Sequence, residues 1–249
     1  MFFNYSPFMV LTENKIIKEI GINRDTHIEI LFDAYLLIII LINKGDMAFY
    51  NKVLLLNKIY LIFYALLDKK ISFHAWNCFY FTFSAISKLI WYRKYTSDHY
   101  LYAMAYYINQ SIYILFSYTN EKIEMLLHHF ITLMMIFLSY RCNLLSYGIQ
   151  IQLIHDISDP LLEMSKILFI TNKKVTETSK MLFTMWIILF VVTRIFYFPS
   201  VIYQVLIRFN FLSTLIEIEI IELFLILLQM MHIYWIYRVV PILMQMFDD

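Results

Sequence analysis

Between Leu126 and Ile167 the chain reads LLHHFITLMMIFLSYRCNLLSYGIQIQLIHDISDPLLEMSKI, an apolar stretch that carries adjacent histidines, a His-Asp pair, a second Asp, and a Glu and Lys three residues apart. A run this apolar suits a bilayer, where every backbone N–H and C=O must be paired inside the protein, so helices are the economical spans. Ionisable groups at that depth are expensive, and each requires a partner, a water-filled cavity or a chemical task. The stretch therefore predicts helices packed side by side around a polar site.

The remaining composition agrees. Hydrophobic residues make up 61% of the 249 and charged residues 16%, against about 45–50% and about a quarter in soluble domains. Mean hydropathy is +0.65. Net charge is +1, from 20 Lys and Arg against 19 Asp and Glu, so no basic field recommends a nucleic-acid partner. Cys78 and Cys142 match no zinc or disulfide framework and read as small buried hydrophobes. The opening MFFNYSPFMVL lacks a basic region and runs into the polar TENKIIKEIGINRD, which is not a cleavable signal, so insertion falls to the first membrane helix.

Along the chain, residues 1–69 read as a lead with one or two membrane helices, Ile30–Ile42 around Asp33 and Val53–Leu67 around Asn57 and Lys58. Six further helices follow: Phe73–Tyr92, Tyr100–Tyr118, Glu124–Tyr140, Leu144–Ile170 (tilted or broken at Pro160), Met181–Val205 and Glu219–Val240. The expected fold class is all-α, a polytopic six-helix membrane bundle over 70–240 with those additional N-terminal helices and a short tail, 241–249. Lys69, Lys70, Lys122, Lys173, Lys174 and Lys180 fall on one side, and Arg93, Lys94, Arg141 and Arg208 on the other. The larger set marks the cytoplasmic side. Trp91, Tyr92, Tyr100, Trp235 and Tyr237 are expected in interfacial belts.

Helical spacing then sorts the polar residues. Asp156, Asp159, Glu163 and Lys166 recur at three- and four-residue intervals, with His155 four before Asp159, and Thr132 can share a face with His128 or His129. Two polar stripes on consecutive helices can converge, while His128 and His129 diverge by about 100° and take different tasks. A histidine with a carboxylate that orients it suits proton abstraction from an amine or hydroxyl attacking an activated carbonyl. It suits equally a histidine that attacks a thioester itself. Interhelical hydrogen bonds that merely hold a bundle together are the bland alternative. A metal held by His128, His129, His155 and Asp159 is disfavoured, since His27, His74, His99 and His232 are scattered singly and complete no further histidine cluster. Arg194, midway along its predicted helix, is expected to face the interior and meet a carboxylate or a phosphate.

The segment from His128 to Lys166 resembles the Lag motif of ceramide synthases within the TRAM/LAG/CLN8 (TLC) membrane domain. The likeness rests on His128-His129, Thr132, Ser139-Tyr140, Asn143, Gly148, His155-Asp156, Asp159-Pro160-Leu161-Leu162-Glu163 and Lys166. It continues through Val192-Thr193-Arg194, Tyr197 and Pro199, then Leu227-Leu228-Gln229, His232 and Trp235. Upstream, Phe73, Trp76, Tyr106, Tyr107 and Gln110 are similar, although His74 and Asn77 stand where acidic and arginine residues are expected around the tryptophan. The resemblance implies a multi-pass enzyme of the endoplasmic reticulum membrane that moves a fatty acyl group from acyl-CoA, its co-substrate, to the amine of a sphingoid base (dihydrosphingosine, phytosphingosine or sphingosine), giving a (dihydro)ceramide. It implies His128, His129, Asp156 and Asp159 as catalytic. Thr132, Ser139, Tyr140, Asn143, His155, Glu163, Lys166, Arg194 and Trp76 would support them, with no cofactor or metal. Membrane lipid, a second copy or a small accessory subunit are the partners it allows. The acyl chain would lie inside the bundle with the CoA nucleotide at the cytoplasmic mouth, and a lipid-binding or translocation-associated TLC protein is the alternative.

Overall fold

Among the described residues large apolar side chains cover much of the outside, while a set of polar ones is buried beside the apolar core. On one helix Phe79, Phe83, Ile86 and Ile90 face outward, each at least 43% exposed, while Asn77, Ser84, Ser87 and Lys88 are buried. The last helix repeats the pattern, exposing Leu223, Ile226, Met230, Ile233 and Tyr237 while burying His232 completely. Such apolar stripes around a polar interior mark a protein that meets lipid.

The computed structural model describes the backbone of residues 47–91, 96–116, 122–210 and 216–248. The expected segment Ile30–Ile42 and the expected helix ends at Tyr92 and Tyr118 lie outside them. The described residues form α1 (Met47–Leu66), α2 (Lys69–Trp91), α3 (Thr96–Phe116), α4 (Lys122–Arg141), α5 (Leu145–Asp156), α6 (Asp159–Asn172) and α7 (Glu177–Phe190). A π-helical segment (Val191–Tyr197), α8 (Phe198–Asn210) and α9 (Ile216–Asp248) complete them. From Lys52 onward they make one compact unit, in which α2 packs on α6, α3 on α4, and α6 on α7. Two stretches, Ile123–Arg141 and Glu177–Ile207, are long and apolar enough to cross a membrane.

Two expected single helices are interrupted, both beside proline. Leu144–Ile170 divides at Ile157-Ser158, and Pro160 sits in the first turn of α6, where its missing N–H is harmless. The expected span Met181–Val205 switches to π geometry for one stretch before Pro199, whose ring would clash with the carbonyl of residue 195 in a continuous α-helix. The π turn carries Arg194.

Two expected belt residues turn inward instead, Tyr100 fully and Trp235 in part. Tyr100 is fully buried and crosses Gly148 so closely that a Cβ there would lie 1.6 Å from its hydroxyl, so the glycine permits the approach of α3 to α5. Trp235 packs edge-on to His128 with ring centroids 4.9 Å apart. Tyr237 is 78% exposed, as an interfacial residue would be. The thiols of Cys78 and Cys142 are free and half-buried.

Candidate functional site

Each of the three carboxylates is held by a cation: those of Asp156 and Asp159 come from a different helix or turn, and that of Glu163 from its own helix. Asp156 on α5 accepts hydrogen bonds from the Lys88 ammonium and from the Ser84 hydroxyl at 2.7 Å. Lys88 also donates to Ser84 at 2.7 Å, closing a triangle whose lysine side chain is 1% exposed. Asp159 accepts from Arg194 and from Ser158 at 3.1 Å. The guanidinium also donates to the His155 carbonyl at 2.8 Å and to Ser158 at 3.1 Å, and lies 4.6 Å from the Phe190 ring centroid. Glu163 on α6 receives His74 at 2.6 Å and Lys166 at 2.8 Å. The bridges from α2 to Asp156 and Glu163, together with the π turn's Arg194, tie α5 and α6 across their break.

The histidines form a separate cluster. His128 and His129 are both buried, and their rings part as the 100° offset requires. His129 lies against Tyr107, centroids 5.4 Å apart, with Nδ1 3.5 Å from the Ser111 hydroxyl. His128 turns to Trp235 and to His155, whose ring centroid is 6.5 Å away, and its buried Nδ1 has no partner. His155 Nδ1 donates to the Ile151 carbonyl at 2.6 Å. For neutral rings, its Nε2 must then accept the 3.0 Å hydrogen bond from His232 Nε2. His232 is left with a bare, buried Nδ1 that meets nothing.

The two expected polar stripes therefore meet through histidine rings, not through His–Asp hydrogen bonds. Among the described residues no hydrogen bond joins Asp156 or Asp159 to His128 or His129, because both carboxylates are turned to Lys88 and Arg194. Arg194 meets a carboxylate, as its depth demands. Thr132 and Ser139 line a cavity between α4, α5, α8 and α9. Ser139 spends its hydroxyl on the Met135 carbonyl at 2.6 Å, whereas Thr132 Oγ1 is buried and unpartnered. Three expected supporting residues stand elsewhere. Tyr140 is exposed and packs on Tyr100. Asn143 is exposed at φ 58°, shaping the turn between α4 and α5. Trp76 is buried among Tyr60, Phe63, Tyr80 and Tyr106, an aromatic core. Asn77, atypical in sequence, accepts from Tyr106 at 3.0 Å and Gln110 at 2.8 Å.

Lys88, Ser84 and Gln152 are the polar members that sequence reasoning passed over, and His74, read there as a scattered histidine, joins Glu163. Lys88 is the one a sequence signal could have flagged: a lone cation in the apolar run FYFTFSAISKLIWY. Near a helix end such a lysine reads as an arm reaching the interface.

A helical bundle with apolar exteriors and buried histidines and carboxylates defines a membrane-associated domain with a polar cluster in its interior. Residues 53–241 match the TLC domain, and the chain belongs to that family. It is 30% identical to ceramide synthase 4 of Bos taurus over 141 residues, 55% of this chain and 35% of that protein. It is 33% identical over 95 residues, 36% of this chain and 24% of the relative, to the sphingosine N-acyltransferase-like protein FUM17 of Gibberella moniliformis. Against mouse ceramide synthase 3 it is 29% identical over 119 residues, 47% of the chain and 30% of that protein. The matched part thus spans about a third or less of these relatives.

Proposed function

We propose that this protein is a ceramide synthase, an N-acyltransferase that joins a long fatty acyl chain from acyl-CoA to the amine of a sphingoid base, within a domain spanning 70–240. The observation that carries the reading is His128, a buried ring with an unpartnered nitrogen at the centre of the polar cluster of a TLC domain. Its free nitrogen can take the proton lost by the amine as the C–N bond forms and the thioester C–S bond breaks, CoA leaving as the thiol. It can instead take the acyl group itself and pass it to the amine, releasing CoA first. His129, one residue on, supports the cluster from the α3 side. Asp156 and Asp159 act on it through fixed charge, each held with a cation, rather than by direct hydrogen bonds. The 40 Å³ cavity is small beside the roughly 300 Å³ at the low end of ligand pockets, so a long acyl chain enters this cavity only if its walls part.

Purified protein given palmitoyl-CoA and dihydrosphingosine is expected to form the N-acyl product and free CoA. No turnover across chain lengths and bases would leave the lipid-binding alternative in its place.

The loop charges set an orientation in the endoplasmic reticulum membrane. The 171–180 loop and the C-terminus are expected in the cytosol, with 93–98 and 206–215 in the lumen. Single cysteines scanned in intact microsomes check this, and a cysteine at position 173 labelled from the lumen would invert the placement of the CoA mouth.

A further inference from the structure

The cavity beside the histidines is walled mainly by apolar side chains, Met135, Ile151, Leu225 and Leu228 among them, yet Gln152 reaches its lining. Gln152 is 7% exposed, and neither its amide nitrogen nor its amide oxygen has a partner; the Oγ1 of Thr132, lining the same space, has none either. Buried polar groups in folded proteins are nearly always paired, and an unpaired one is destabilising by more than a hydrogen bond is worth. A leucine would fill Gln152's place at no such penalty. Three unmet polar atoms on two residues that line one small space would be satisfied by a ligand that supplies both a donor and an acceptor.

We propose that Gln152 and Thr132 form the subsite for a hydroxyl carried beside the reacting amine of a long-chain amino alcohol. The inference rests on the acyl-transfer reading for the identity of that amine. A thioester carbonyl only accepts and would leave the glutamine oxygen unmet; an ammonium only donates and would leave its nitrogen unmet; a hydroxyl does both. Reversing the amide exchanges the two atoms and changes nothing, since one donor and one acceptor remain. Size agrees, because about 40 Å³ takes a hydroxyl and the carbon bearing it rather than a chain. Depth agrees as well. Thr132 follows His128 by four residues on the same face of α4, about one 5.4 Å turn, so an amine at His128 Nδ1 places a neighbouring hydroxyl at the level of Thr132. Across the cavity, Gln152 precedes His155 by three residues on α5, which sets it one turn from the same cluster.

The test measures saturable binding to the full chain in phosphatidylcholine nanodiscs, above that of empty discs, for dihydrosphingosine and for octadecylamine of equal chain length. The wild type is expected to bind the amino alcohol at least about tenfold tighter. Gln152→Leu should erase the difference by weakening dihydrosphingosine alone, and Thr132→Val should shrink the same ratio, which keeps the test available if the first variant does not fold. Equal wild-type binding means that the site holds water only and overturns the proposal; so does a ratio preserved in both variants, or no saturable binding of either lipid. Acyl transfer measured in the same discs separates the two readings. Discrimination without transfer keeps the subsite and removes the acyltransferase, while transfer without discrimination does the reverse.

Discussion

Replacing His128 by alanine is expected to lower acyl transfer by at least about a hundredfold, the lower part of the range for general acid–base catalysis, with little loss of expressed, membrane-inserted protein. The ring occupies a site where Trp235 and His155 surround it and where its Nδ1 meets no protein group. Alanine therefore removes no described hydrogen bond at Nδ1 but does remove the nitrogen to which the proposed reaction gives the proton or the acyl group. His129→Ala should lose activity on the same scale by a different route, because His129 packs on Tyr107 and reaches Ser111 and its loss loosens the α3–α4 contact behind His128. Mass spectrometry of enzyme quenched with acyl-CoA and no amine divides the two chemistries. An acyl adduct on His128 establishes covalent transfer; its absence under productive binding leaves direct attack by the amine, with His128 as base. A folded His128→Ala protein of nearly full activity would sink both.

How far the sequence reaches is clearest at three places. The helices themselves were legible because apolar runs bounded by Lys and Arg leave the backbone one economical conformation, and α2 and α4 lie where those runs do; α9 instead runs on through Pro241 to Asp248, past the expected end at Val240 and through the expected tail 241–249. The breaks were half legible. Pro160 marked the first in advance, but the π turn at Val191–Tyr197 is a change of hydrogen-bond register over ordinary residues, and only the later Pro199 hints at it. Partner choice was the least legible. Periodicity shows that Asp156 and Asp159 share a helical face, but whether that face meets α4 or α2 depends on how the helices pack, and the two carboxylates fall on either side of the break at Ile157-Ser158. Lys88 then reaches Asp156 from 68 residues away in sequence, a distance at which no local spacing rule operates. His74 and Asn77, which look like departures from the motif, are each absorbed by hydrogen bonds to Glu163, Tyr106 and Gln110.

The Lys88–Asp156 pair supplies the other large effect. Asp156→Asn conserves shape and removes a charge, leaving the Lys88 ammonium, 1% exposed, without its counter-ion. Breaking a buried pair from one side is destabilising by about 3–5 kcal/mol, so Asp156→Asn and Lys88→Met are each expected to lower the melting temperature in detergent sharply. Lys88→Met combined with Asp156→Leu removes both charges, and apolar replacement of a buried pair is often neutral or better, so the double variant should recover most of the lost stability. Asp159→Asn is expected to be milder, because Arg194 keeps the His155 carbonyl and Ser158 as acceptors. Activity in the double variant then decides what Asp156 does. Stability regained with transfer still at least about a hundredfold down assigns the carboxylate to the chemistry, through the field it sets at the histidines. Transfer regained along with stability makes Asp156 a structural counter-ion, and the resemblance that marks it as catalytic would then not hold for this chain. Single variants that melt like the wild type would show that the ammonium and carboxylate do not form the buried pair at all.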